Sequence, residues 1–172
     1  MKINRIALFF FLLLTFSASA QPKEKLKINW PEEYHWKVGS SQETAQVNLT
    51  ELIPEKETLE QWTLMGNMMA IKGGQNVPAD AAMNMMYEQA MKNSDNARLT
   101  VIEKDNSNKW ILFTIEAASF HNDANPESQL YYIKSGKTAL YTNFIAVKEA
   151  SLKNAFIARW SKVFKSSEIV FQ

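Results

Sequence analysis

Hydrophobic and polar residues alternate along much of this chain, and a two-residue period is typical of strands with one buried face. Ala45, Val47 and Leu49 alternate with polar neighbours, and Ile53-Pro54 ends that run because proline cannot donate to a strand ladder. Residues 35–38 and 63–71 are apolar enough for two more strands. The chain up to the Gly73-Gly74 pair is therefore predicted to form paired strands.

Two later segments have the longer period of amphipathic helices. Residues 78–92 begin with a proline, which suits the first turn of a helix. Their apolar side chains fall on one helical face: Ala82, Met83, Met86, Tyr87 and Ala90. Ser151 is a candidate N-cap for a second helix, whose apolar stripe contains Leu152, Ala155, Phe156, Trp160, Val163 and Phe164.

Four further strands are predicted between the two helices, across residues 99–147. No linker rich in proline, glycine or serine divides the chain, so residues 21–172 are expected to form a single domain. Helices are too few to alternate with the strands. The predicted fold class is therefore α+β, with a mostly antiparallel sheet covered by two main helices.

Two short segments resemble parts of small uncharacterised exported bacterial proteins. In residues 53–63 the Ile53-Pro54 pair ends a strand, and Trp62 follows an acidic turn. Residues 136–141 are a turn that leads into an aromatic strand. The element order is also similar to the PsbP-like α/β/α sandwich, which includes the periplasmic DcrB-type proteins. The resemblance implies that fold and a binding or assembly role, and it supplies no catalytic residues.

The first twenty residues have the three parts of a cleavable signal peptide. Lys2 and Arg5 precede an apolar run at residues 6–16, and Ala18-Ser19-Ala20 gives the small-residue cleavage pattern. The run is shorter than the roughly 20 residues of a membrane-spanning helix. We therefore expect residues 1–20 to be removed and the protein to be exported, either to the periplasm or outside the cell, without a transmembrane segment.

Charge and cysteine content narrow the classes of partner and chemistry. The chain has 19 basic and 18 acidic residues and no basic stripe, which argues against nucleic-acid binding. It has no cysteine, so disulfides, thiol nucleophiles and thiolate metal sites are excluded. No catalytic, metal or cofactor site is predicted, and the chain is expected not to be an enzyme.

One alternative is a hydrolase. The loop that contains Ser119, His121 and Asp123 carries the residue types of a Ser–His–Asp site. The sequence has only two histidines and no G-x-S-x-G nucleophile elbow, so this loop is also interpretable as ordinary polar turn residues.

Methionines are concentrated in one short stretch. Of the eight in the chain, all except Met1 lie between Met65 and Met91. Methionine side chains repack easily and suit adaptable binding surfaces. We therefore predict a site for a partner protein or a small apolar ligand at Trp62, Met65, Met69, Met83, Met86 and Tyr87. A methionine-filled core is one alternative, and a copper-handling site with thioether ligands within residues 65–91 is another.

Overall fold

The computed structural model describes residues 23–121 and 124–172. The predicted signal peptide lies outside these residues. Nine strands are described: β1 (Glu24–Lys27), β2 (Trp36–Glu43), β3 (Val47–Pro54), β4 (Leu64–Lys72), β5 (Arg98–Lys104), β6 (Trp110–Ala117), β7 (Glu127–Ser135), β8 (Ala139–Val147) and β9 (Glu168–Phe171). The two α-helices are α1 (Ala79–Asn93) and α2 (Asn154–Lys165), and a short 3₁₀ turn spans Glu32–Tyr34.

Seven strands form one antiparallel sheet in the order β2-β3-β4-β8-β7-β6-β5. β2, β3 and β4 form a meander, after which α1 carries the chain across to the far edge of the sheet. A second meander, β5 to β8, then returns towards the centre, where β8 pairs with β4 as well as with β7. β1 and β9 pair with each other as a separate two-stranded ribbon.

The predicted fold class is wrong. The protein is mostly β, with 47% strand and 20% helix, and the sheet is not covered by its two helices. The physical reason is their placement: α1 contacts β6 and β7, and α2 contacts β7. Over β3 and β4, irregular segments supply the cover instead, with Ile28 and Trp30 on one face of the sheet and Trp62 on the other.

The larger hydrophobic core lies between α2 and the sheet. Leu112, Leu130 and Ile145 face α2 from three neighbouring strands and are almost fully buried. Trp160 and Phe164 of α2 are 0% exposed and contact this apolar surface. The helix is therefore held by the apolar stripe that the sequence pattern predicts, except for Ala155, which is exposed.

A second core lies on the opposite face, beneath α1. Ala82 and Met83 of the helix pack against Phe113, Ile133 and Leu140 of the sheet. Neither described helix is both long and apolar enough to cross a membrane.

Glu24 attaches the β1–β9 ribbon to the large sheet. Its carboxylate accepts hydrogen bonds from the backbone N–H groups of Lys137 (2.7 Å) and Thr138 (3.2 Å), and from the Tyr141 hydroxyl (3.2 Å). Burial opposes ionisation of this carboxyl, but the hydrogen bonds outweigh burial and lower the pKa of Glu24 below its ordinary value of 4.5. Burial raises the pKa of Tyr141, which keeps its phenol protonated and able to donate.

Replacing Glu24 by glutamine is expected to destabilise the protein in a pH-dependent way. The pKa of Glu24 is lower in the folded chain than in the unfolded one, so its contribution is present at neutral pH and is lost as the pH falls through the folded pKa. The stability difference between wild type and Glu24→Gln should therefore shrink below about pH 4.5, measured by urea unfolding at several pH values. Glu88→Gln, at an exposed position on α1, is the matched control. A difference that stayed constant down to pH 3 would contradict the anchoring role.

Candidate ligand-binding groove

A groove of about 440 Å³ runs between one side of α1 and the sheet surface formed by β4 and β8. Its lining is mostly apolar. The residues that form it are Ile71, Gly74, Val77, Ala82, Met85, Met86, Gln89, Leu140 and Thr142. None of these described lining residues is charged, so the groove is a site for apolar rather than ionic groups.

The start of α1 explains why the groove is there. β4 ends at Lys72, and the chain turns through Gly73, whose φ of +79° is strained for any residue with a side chain. A Cβ at Gly74 would lie 3.1 Å from the Leu140 Cβ, so glycine lets the turn come close to β8. The helix that follows faces the groove with a small side chain at Ala82, which leaves space above Leu140.

The flexible wall of the groove is formed by two adjacent methionines of α1. Met85 is 67% exposed and Met86 is half-buried, although both are large apolar side chains. Val77, two residues before the helix begins, is 36% exposed and lines the same groove. Unbranched thioether side chains adapt to different shapes at little cost, so this wall can adjust to an incoming molecule.

The floor of the groove contains one buried hydroxyl group. Thr142 is 1% exposed, and it lies on the same face of β8 as Leu140 because side chains alternate along a strand. Within residues 23–121 and 124–172, no hydrogen-bond partner reaches its Oγ1 atom. A buried hydroxyl without a hydrogen-bond partner lowers the stability of a protein by about 1–3 kcal/mol. The groove therefore has one hydroxyl without a partner beneath its apolar surface.

The structure places one of the six predicted site residues at this groove. Met86 lines it, whereas Met83 and Tyr87 lie in the core beneath the same helix. The Tyr87 hydroxyl donates to the Ala97 carbonyl oxygen at 3.3 Å and is thus engaged within the fold. Met69 is half-buried on the sheet surface and pairs with Thr142 across β4 and β8.

Trp62 and Met65 belong to a different cluster. They pack with Ile53 and Ala146 at the end of β4 away from the groove. The Lys148 ammonium nitrogen lies 4.0 Å from the centroid of the Trp62 ring, which is cation–π geometry. The structure therefore does not bring Trp62 and Met65 together with the residues of α1.

Several residues of the groove were not predicted from the sequence. Ile71, Leu140 and Thr142 sit in strands whose pattern shows which residues share a face, but not where a neighbouring helix leaves that face open. Met85 falls off the apolar stripe of α1. A large apolar side chain at a helix position that does not face the core was the signal in the sequence that could have indicated the groove.

The methionines do not converge on a single point. Met68 faces the α2 side of the sheet, where its sulfur accepts a hydrogen bond from Trp30 Nε1 at 3.3 Å. Met65 and Met83 lie in two separate clusters on the other side. This spread gives no support to a copper site built from thioethers. In the part of the chain that the structure describes, no group of three or more His, Asp or Glu residues is placed to hold a metal ion.

The loop of the hydrolase alternative lies at the protein surface. His121 Nε2 is 3.2 Å from Asp95 Oδ1, and both side chains are solvent-exposed. The Ser119 hydroxyl accepts a hydrogen bond from the Asn96 amide at 3.0 Å. Asp123, the third residue of the proposed constellation, lies outside the described residues. None of the described members of this loop lines the groove.

Comparison with known proteins adds no further assignment. No protein-family model matches this chain, and no curated protein matches it either. The similarity to small exported bacterial proteins stays a prediction from two short segments, and the similarity to PsbP- and DcrB-type proteins stays a prediction from the element order.

Proposed function

We propose that this protein is a non-catalytic binding protein of the bacterial envelope that holds a small apolar ligand in the groove beside α1. The observation that carries this proposal is the uncharged lining of a cavity of about 440 Å³. Pockets for small ligands commonly measure about 300–1,000 Å³ and combine apolar walls with very few polar groups. The location in the envelope rests on the signal-peptide pattern of residues 1–20.

The exposure of the groove wall supports binding. Met85 keeps 67% of its surface in water, although other apolar side chains of the same helix are buried. Covering an apolar side chain is favourable by about 25 cal/mol for each Å² removed from water. A ligand that covers Met85, Met86 and Val77 would gain this free energy without any rearrangement of the sheet.

The chemistry of the lining favours binding over catalysis. Among the nine described lining residues, Gln89 and Thr142 carry the polar side chains, and neither titrates near neutral pH. General acid–base catalysis requires a positioned group with a suitable pKa. The nine described lining residues include no such group, and they can bind a ligand through complementary shape and apolar contacts.

Mild peroxide treatment of the folded protein is expected to oxidise the methionines in an order set by exposure. Met85 (67% exposed) and Met91 (47%) should convert to sulfoxide first, and Met65 (9%) and Met83 (7%) should be protected until the protein unfolds. Saturation with a small apolar probe, 1-naphthol, should slow oxidation of Met85 because the probe covers it. Peptide mass spectrometry measures the rate at each position.

Met91 is the internal control for this experiment. It lies on the same helix and is exposed, but it does not line the groove. Its rate should be unchanged by the probe. Equal protection of Met85 and Met91 would indicate non-specific shielding. If neither methionine were protected and calorimetry detected no binding of 1-naphthol, the proposed function would be overturned. Protection of Met85 by a copurifying protein instead of by small probes would point to a partner protein.

A further inference from the structure

We propose that the ligand of this groove is an electrically neutral molecule that forms a hydrogen bond to Thr142 Oγ1 through a single hydroxyl or carbonyl group. This inference rests on the proposed function and specifies the chemical class of its ligand. It depends on two independent observations, the partnerless hydroxyl on the groove floor and the lack of charge in the groove lining.

The position of Thr142 leaves its hydroxyl surrounded by apolar groups. It pairs with Met69 on β4 and with Ile133 on β7, and Leu140 and Phe144 flank it on the same face of β8. Directly opposed residues in a sheet have Cβ atoms about 4.5–5.5 Å apart, so these side chains lie directly beside it in the sheet. None of them can accept or donate a strong hydrogen bond. A ligand group that entered the groove would supply the missing partner.

Thr142 differs in this respect from other buried polar side chains. Six described residues have a buried side-chain nitrogen or oxygen without a partner: Asn48, Asn67, Thr142, Trp160, Ser161 and Ser167. Of these six, Thr142 alone lines the groove. Asn67 lies on the same face of the sheet but pairs with Phe144 and is not part of the lining. Among the described residues, Thr142 is therefore the one position where a buried hydroxyl without a hydrogen-bond partner lines this apolar groove.

The lack of charge determines the kind of molecule that fits. A carboxylate or an ammonium group buried here would have no opposite charge among the described lining residues, and burial of an unpaired charge is strongly unfavourable. A purely apolar molecule would fit but would leave the Thr142 hydroxyl without a partner. An alcohol, phenol, ester or amide satisfies both conditions, because the threonine hydroxyl can donate as well as accept.

Three probes with the same ring system test this inference by isothermal titration calorimetry at pH 7. 1-Naphthol carries a neutral hydroxyl, naphthalene has no polar group, and 1-naphthoate is charged. Wild type is expected to bind 1-naphthol about fivefold more tightly than naphthalene, which is the size of one net hydrogen bond. Binding of 1-naphthoate should be the weakest of the three.

The decisive variant is Thr142→Val, which keeps the shape of the side chain and removes the hydroxyl. It should abolish the preference for 1-naphthol over naphthalene while binding of naphthalene persists. It should also raise the melting temperature of the ligand-free protein by about 2–4 °C, because an unsatisfied buried hydroxyl has been removed. A rise in stability combined with a loss of selectivity is not expected from a purely structural residue.

Thr114→Val is the matched control. Thr114 is a strand threonine with 2% exposure, and it pairs with Leu130 on the face that α2 covers. This variant should keep the fivefold preference. If Thr142→Val failed to fold, a comparison of Thr142→Ser, which retains the hydroxyl, with Thr142→Ala would replace it.

The outcomes separate this inference from the proposed function. Equal affinity of wild type for 1-naphthol and naphthalene, or an unchanged preference in Thr142→Val, would overturn the inference while the groove remained a binding site. Tighter binding of 1-naphthoate than of 1-naphthol would also overturn it. No binding of any of the three probes would overturn the proposed function itself, and this inference with it.

Discussion

Replacement of Trp160 by alanine is expected to lower the free energy of unfolding by about 3–5 kcal/mol, the usual cost of truncating a fully buried tryptophan. Trp160 is 0% exposed. Stabilities of natural domains are commonly about 5–15 kcal/mol. A single substitution on α2 therefore removes a large part of what keeps this protein folded.

The surroundings of Trp160 explain the size of the effect. Five aromatic rings have centroids within 6.3 Å of the Trp160 ring, and they come from α2, from β2 and from the segment before β2: Trp30, Tyr34, Trp36, Phe156 and Phe164. Rings this large cannot collapse into the space that alanine would leave. The cavity would lie where α2, the sheet and the N-terminal segment meet.

Urea unfolding of Trp160→Ala, followed by circular dichroism, measures this loss. Lys162→Ala, an exposed position on the same helix, should stay within about 0.5 kcal/mol of wild type. Trp160→Phe should cost much less than the alanine variant, because Nε1 of Trp160 has no partner among the described residues. A Trp160→Ala protein within 1 kcal/mol of wild type would show that α2 is not docked as described.

Replacement of Gly66 by alanine is the second change with a large expected effect. A Cβ at this position would lie 2.6 Å from Trp30 Cη2 and 2.7 Å from Trp30 Cζ3, closer than non-bonded carbon atoms approach. The Trp30 ring is packed against Trp36 and Trp160, so it cannot move aside freely. Overpacking of a core in this way costs about 1–3 kcal/mol.

The direction of this effect makes it informative. Gly→Ala in a strand normally stabilises a protein, because alanine reduces the freedom of the unfolded chain. At Gly66 we expect the opposite sign. A double-mutant cycle with Trp30→Leu, read from urea unfolding, tests the cause: Gly66→Ala should be at least 1 kcal/mol less costly when the ring is absent. An equal cost in both backgrounds would exclude the contact with Trp30 as the reason.

Local patterns predicted where most elements lie. The helical stripes of residues 78–92 and of the segment after Ser151 correspond to α1 and α2, and the alternation around Val47 corresponds to β3. These features depend on neighbours in the sequence. β1 was not predicted, because its four residues are too few to show a period and its partner is β9 at the other end of the chain.

The fold class could not be predicted because the cover of the sheet is not local. Trp30 and Tyr34 belong to a segment without a regular pattern, yet they cover β2 to β4 beside α2. Nothing in their spacing shows that they replace a helix. The same limit applies to the groove. Met86 was predicted for the binding site, whereas the part of the sheet surface that stays open depends on the angle at which α1 crosses the sheet.

The central position of β8 has a consequence for how this protein folds. β8 pairs with β4 and with β7, and β4 is separated from it along the chain by α1 and three strands. Contacts between distant parts of a chain form slowly, because the entropy of a long loop must be lost first. Until residues 139–147 pair with both β4 and β7, strands β2 to β4 and strands β5 to β7 are separate units, and β4 and β7 each have an unpaired edge. We expect the rate-limiting step of folding to be this joining of the two meanders, and truncated chains that lack β8 to aggregate through those edges.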